Sequence, residues 1–177
     1  KTIAEQQAMV KAVQKNKRIW QTGSWQRSER HFHYACEIVR NGLIGKLKRV
    51  EVGLPSGHSD FAKTKDKMSI TAPPAQLDYN FWIGPSEMMP YIEARGHKNW
   101  RWNYNTGGGQ LLDWVGHHCD IAHWGMDFDN RGPLEIEGEG EFPPNDAVWN
   151  TCTKYRIKLK YPNDIEMVMA GGDDDIK

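Results

Sequence analysis

Several things are scarce in this sequence. Cysteine occurs only at Cys36, Cys119 and Cys152, an odd number with no C-x-x-C pair. A disulfide framework is therefore excluded as the organising principle, and reduced thiols are expected. Charge of one sign is lacking too: 23 Lys and Arg balance 23 Asp and Glu, for a formal net charge of zero. A generic polyanion binder needs a cationic surplus to displace counterions, so nucleic acid is not an expected partner. No apolar run approaches the roughly 18 residues of a membrane span, so no membrane partner is expected. The opening KTIAEQQAMVKAV is amphipathic and mixed in charge, unlike an export signal.

The chain has 177 residues, enough for one domain or for one domain plus part of another. Its 38% hydrophobic and 26% charged residues form a globular but polar balance. Tryptophan is abundant, with eight residues, five of them between Trp82 and Trp124, which points to a local aromatic pocket as well as core filling.

Thr2 followed by Glu5 is a capping box, and Ile3, Val10 and Val13 continue a helical apolar stripe to about Gln14. RIWQTG alternates like a short strand closed by Gly23. A helix and strand with no strand ahead of them read as the end of a βαβ design, so the chain is expected to be cut on its N-terminal side. A second helix is predicted from Ser28 to Asn41, followed by a strand in KLKRVEVGLP. Residues 55–80 form a long excursion, DYNFWIGP a helical turn, and residues 86–106 an irregular aromatic stretch. Gly107, Gly108 and Gly109 introduce the strongest helix, QLLDWVGHHCDIAHWGM. LEIEGEGEF and TCTKYRIKLKY read as adjacent antiparallel strands, and IEMVMA begins a third. The Asp173–Asp175 run lacks calcium-loop spacing and reads as a solvated turn.

The long helix carries the chemistry. In α geometry the spacing stacks Asp113, His117 and Asp120 on one face, with His118 about 100° away. An Asp one turn before a His can orient the imidazole and raise its proton affinity, as a general base requires. Two other readings compete: a mutually satisfied polar seam, and a metal site on Asp113, His117 and Asp120 without H-E-x-x-H or C-x-x-C support. Spacing alone leaves the three level. Arg27 follows the predicted strand at its carboxyl end, where open α/β sheets place ligands; the alternative is a surface arginine. Trp82, Trp100, Trp102 and Trp114 are candidates for an apolar wall, and Arg95, His97 and Arg101 for recognising hydroxyls or a carboxylate. Cys119 reads as a small packing residue, not a nucleophile.

GGGQLLDWVGHHCD resembles the catalytic helix of the Gfo/Idh/MocA oxidoreductases, a glycine cluster followed by Asp, three residues, His, two residues and Asp, matched at Gly107, Gly108, Gly109, Asp113, His117 and Asp120. KTIAEQQAMVKAVQKNKRIWQTGSWQRS resembles the last helix and strand of that family's nucleotide-binding half, and ACEIVRNGLIGKLKRVEVG the bridging helix and first strand of its second half. WIGPSEMMPY and RWNYNTGGG resemble a bacterial subgroup. The resemblance covers nearly the whole chain in one register. It departs from the family in lacking the strand–glycine-loop–helix that seats a pyrophosphate and the upstream Glu-Lys-Pro motif, whose lysine role is not transferred to Lys1.

The resemblance implies a fragment of a nicotinamide-dependent enzyme that oxidises or reduces a sugar or cyclitol hydroxyl or ketone. In it His117 would be the acid/base, with Asp113 orienting it, and Asp120, Arg27, Arg101, Trp102 and His118 would contact substrate. NAD or NADP would belong to the parent enzyme, with none bound to this chain alone, which is expected to be inactive by itself. The expected fold is α+β: residues 1–27 a remnant of the dinucleotide-binding domain, and 28–177 an incomplete domain with a mostly antiparallel open sheet and helices on one face. The other sheet face is an expected homo-oligomer surface. The compartment is open, with the cytoplasm favoured over export. Two rivals are a non-enzymatic sugar-binding or assembly module and a metal-dependent hydrolase or isomerase.

Overall fold

A computed structural model describes residues 2–57, 64–172 and 176. Lys1 and the Asp173–Asp175 run fall outside the described residues.

The chain opens on α1 (Ile3–Lys15), whose Thr2–Glu5 capping box closes as the sequence predicts. No residue of α1 is buried. The strand expected in RIWQTG does not form: residues 18–24 are irregular, and Ile19 is wholly exposed. Alternation alone does not make a strand, because a lone strand leaves its backbone donors and acceptors without a neighbouring ladder. A 3₁₀ turn, Trp25–Ser28, then leads into α2 (Arg30–Arg40).

β1 (Arg49–Leu54), β2 (Glu135–Glu141), β3 (Lys154–Tyr161) and β4 (Ile165–Gly171) form one sheet in the order β1-β4-β3-β2. The β2–β3 and β3–β4 pairs are antiparallel and the β1–β4 pair is parallel, so the expected mostly antiparallel open sheet is present. The β3–β4 connection turns through Asn163 and Asp164, both left-handed, a conformation these two residue types tolerate better than most. Between β1 and β2 lie α3 (Tyr79–Ile83), a series of 3₁₀ turns, and the long helix, which comprises α4 (Gly109–Trp114), a π turn (Val115–Cys119) and α5 (Asp120–Gly125).

The two sheet faces differ because strand side chains alternate. Val52 and Leu54 of β1, Tyr155, Leu159 and Tyr161 of β3, and Ile165, Met167 and Met169 of β4 form the core, with Cys119 of the π turn packed among them. The long helix therefore lies on this face, and α2 packs outside it, with Cys36 beside the Ile121 carbonyl. On the other face Glu135, Glu137, Glu139 and Glu141 of β2 stand opposite Lys160, Lys158, Arg156 and Lys154 of β3. Such cross-strand pairs of opposite charge favour this register over a one-residue slip. Val168 and Ala170 also point to that face and are covered by Ile176. No helix among the described residues is long and apolar enough to cross a membrane.

Candidate active site

The sequence places its chemistry on a helix, and the structure alters that helix at the decisive point. The π turn sits between Asp113 and Asp120 and contains both His117 and His118. Its hydrogen bonds close over five residues instead of four, so the α spacing that would stack Asp113 under His117 does not hold through it. Such turns concentrate at functional sites, where they re-aim side chains.

Each of the three stacked candidates consequently has a different partner. His117 Nδ1 lies 2.7 Å from Oε1 of Gln26, a nearly buried amide on the 3₁₀ turn ahead of α2. Asp113 takes both its contacts, at 3.2 and 3.3 Å, from the Arg101 guanidinium. Asp120 accepts two hydrogen bonds from Arg27, at 2.6 and 2.7 Å. The expectation that Asp113 orients His117 is therefore corrected: the orienting group is Gln26. The three residues of the metal reading are also drawn to separate partners. Among the described residues, no group of three or more His, Cys, Asp or Glu side chains is arranged to hold a metal ion.

Gln26 fixes a tautomer. An amide oxygen can only accept, so in this contact Nδ1 carries the proton, and in the neutral ring the lone pair is then on Nε2. The ring is flanked edge-on by Trp25, at 6.3 Å, and by Trp114, at 5.6 Å. His118 stacks on Trp114 at 5.2 Å, and its buried Nδ1 has no hydrogen-bond partner among the described residues. Burial first, and then the adjacent His117, push the proton affinity of His118 below its ordinary value. Both effects favour the neutral form of His118 beside the candidate base.

Arg27 and Asp120, both expected to meet substrate, meet each other. Arg27 also donates to Asp129 at 2.7 Å and lies over the Trp124 ring. Two carboxylates hold the guanidinium firmly protonated, and the arginine in turn keeps the Asp129 carboxyl below its usual range. The clasp ties the 3₁₀ turn that carries Gln26 to α5, and so helps to set the Gln26–His117 distance. Trp102 is corrected as a substrate contact: only 1% of it is exposed, its indole faces Gln110, and Arg101 covers its ring at 4.9 Å. Cys119 is buried and its thiol is pushed up to about 12, as befits a packing residue.

The glycine cluster has internal uses. A Cβ on Gly107 would lie 2.4 Å from the Arg101 carbonyl oxygen, one on Gly108 would strike Leu112, and one on Gly109 would lie 2.3 Å from Thr151 Oγ1. Gly109 is also left-handed, at φ +65°. The close approach at Gly107 brings the Arg101 loop against the start of α4 and hence to Asp113. An open cavity of about 220 Å³ lies here, lined by Trp100, Arg101, Asp113 and the three glycines. The cluster is packed by the chain's own atoms and does not fit a pyrophosphate cradle.

Gln26 and Trp25 were missed by sequence reasoning. The available signal was their position beside Arg27, but nothing in their spacing connects them to a helix some ninety residues later.

Comparison with known proteins bears on the whole chain. The family described as an oxidoreductase family C-terminal alpha/beta domain, of the Gfo/Idh/MocA type, matches residues 13–177. The chain belongs to the Gfo/Idh/MocA oxidoreductase family. No curated protein matches the sequence. The aldose-aldose oxidoreductase from Caulobacter crescentus, solved in complex with glycerol, shares the fold of this Gfo/Idh/MocA chain with a TM-score of 0.60 at 17% identity. That match covers 96% of this chain and 40% of the other, so the chain spans well under half of its structural neighbour's length.

Proposed function

We propose that the protein is a NAD(P)-dependent oxidoreductase that interconverts a hydroxyl and a ketone on a sugar or cyclitol, with His117 as its acid/base. The observation that supports this reading is the His117–Gln26 contact: the imidazole in the motif that resembles the family's catalytic helix meets the Gln26 amide oxygen at Nδ1, which points Nε2 to the proton transfer. The family typically uses NAD(P), and such a coenzyme, when bound, would supply the hydride acceptor.

The chain's own share is the proton. In the oxidising direction Nε2 of His117 takes the hydroxyl proton as the carbonyl forms, and in reduction the imidazolium returns it. Gln26 Oε1 holds Nδ1–H throughout, so the ring need not rotate between the two states. A positioned base of this kind contributes ~10²–10⁴-fold. Trp25 and Trp114 flank the ring edge-on, and the Asp113-bound Arg101 lines the cavity at the start of α4 as a donor for substrate oxygens. The charged face of β2 and β3 is the surface through which copies of the protein would associate.

Expression of the complete reading frame and a screen of sugars and cyclitols for NAD(P)H formation tests the reading. His117→Ala should lower kcat by about 10²-fold or more. Unchanged turnover in that variant would reject the acid/base assignment.

A further inference from the structure

A second cavity lies in the excursion between β1 and the long helix, and it shares no lining residue with the His117 site. Its volume is about 350 Å³, within the range of small-molecule sites. Tyr79, Trp82 and Tyr91 furnish aromatic walls, Ile83 is buried beneath them, and Arg95 and His97 supply the nitrogen donors.

The walls are braced by one another. Tyr79 and Trp82 lie nearly parallel, with centroids 5.8 Å apart, and Tyr91 meets Tyr79 edge-on at 5.4 Å. The Tyr79 hydroxyl is spent on the Met89 carbonyl. The rings are therefore fixed surfaces against which a flat body can lie.

Arg95 is the anomaly. Its guanidinium is half-buried, and among the described residues no carboxylate pairs with it; its one hydrogen bond is a long contact from Nε to the Val148 carbonyl, at 3.5 Å. The other arginines at the centre of the fold, Arg27 and Arg101, both hold carboxylates. Burial without an acid depresses the proton affinity of Arg95, which is the electrostatic mark of a missing anion. His97, at the same cavity, is left-handed at φ 48°, a conformation that histidine adopts more often than most non-glycine residues.

We propose that this cavity binds a small aromatic carboxylate, its ring against Tyr79 and Trp82 and its carboxylate paired with the outer nitrogens of Arg95. A planar guanidinium offers two parallel donors that match a carboxylate's two oxygens. A phosphate group, with more charge, would call for a second fixed cation, and no lysine lines the cavity.

The test uses benzoate as probe and benzamide as its neutral counterpart, titrated into the chain by calorimetry. Benzoate should bind about tenfold or more tightly than benzamide, the worth of one well-placed ion pair. Arg95→Gln should remove that preference while leaving benzamide binding as it was, and Trp82→Ala should weaken both probes alike. If circular dichroism shows that Arg95→Gln does not fold, Arg95→Lys replaces it and should lose most of the preference, because an ammonium lacks the paired donors. Equal affinity for the two probes in the unaltered protein, no binding of either, or a preference that survives loss of the guanidinium overturns the proposal. Because no group of the His117 site lines the cavity, this result is independent of whether His117→Ala is inactive.

Discussion

Replacing Gln26 with leucine isolates the interaction on which the candidate site turns. Gln26 is only 6% exposed, and its Oε1 lies 2.7 Å from His117 Nδ1, where it accepts from the ring's Nδ1–H tautomer. Leucine fills nearly the same volume and offers no acceptor, so Nδ1–H is left facing a hydrocarbon. Stranding a buried donor costs ~1–3 kcal/mol. The ring can escape that cost by moving its proton to Nε2, so the preference for the Nδ1–H tautomer should fall by ~5–150-fold, at a factor of ten per ~1.4 kcal/mol. Nitrogen-15 NMR of the histidine side chains distinguishes the two tautomers directly, without knowledge of the substrate. The unaltered protein should show His117 protonated at Nδ1, and Gln26→Leu should show the proton largely at Nε2. Turnover should fall with it, because a protonated Nε2 cannot accept the hydroxyl proton. Gln26→Glu keeps an acceptor and should preserve the Nδ1–H signature. A proton on Nε2 in the unaltered protein, or no change in the leucine variant, would refute the argument.

Two further outcomes follow from the same geometry. Gly109→Ala should destabilise by ~2–5 kcal/mol in chemical denaturation, from ~1–2 kcal/mol for a left-handed alanine and ~1–3 kcal/mol for pushing aside the buried Thr151; a loss below about 1 kcal/mol would show that the loop gives way easily. His118 and His123 both have proton affinities lowered by burial below the ordinary value of 6.5, so the unfolded chain binds more protons just below that pH. Their contribution to stability is therefore complete above 6.5 and is lost as the pH falls through the folded-state values; the melting temperature should drop between about pH 7 and pH 5, and His118→Phe, which keeps the stack on Trp114, should flatten that drop. A melting temperature unchanged across this window would contradict the burial of both rings.

Much of the fold was legible because it rests on local rules. The Thr2–Glu5 box starts α1, the alternation of KYRIKLKY sets which face of β3 is buried, and the spacing of apolar residues in HFHYACEIVR predicts α2. RIWQTG shows where the same rule fails, since alternation describes a strand's faces and says nothing of whether a neighbour supplies its hydrogen bonds.

The site divides in the same way. The sequence by itself determined that an imidazole, two carboxylates and a glycine cluster share one helix, and the family motif carried them. Only the tertiary structure decided who faces whom. The π turn removed the four-residue register that would have paired Asp113 with His117, and the fold brought Arg101, Gln26 and Arg27 to the three side chains from distant parts of the chain. Spacing within a helix is a local property and can be read in one dimension. The partners are set by packing across tens of residues, where no local rule reaches.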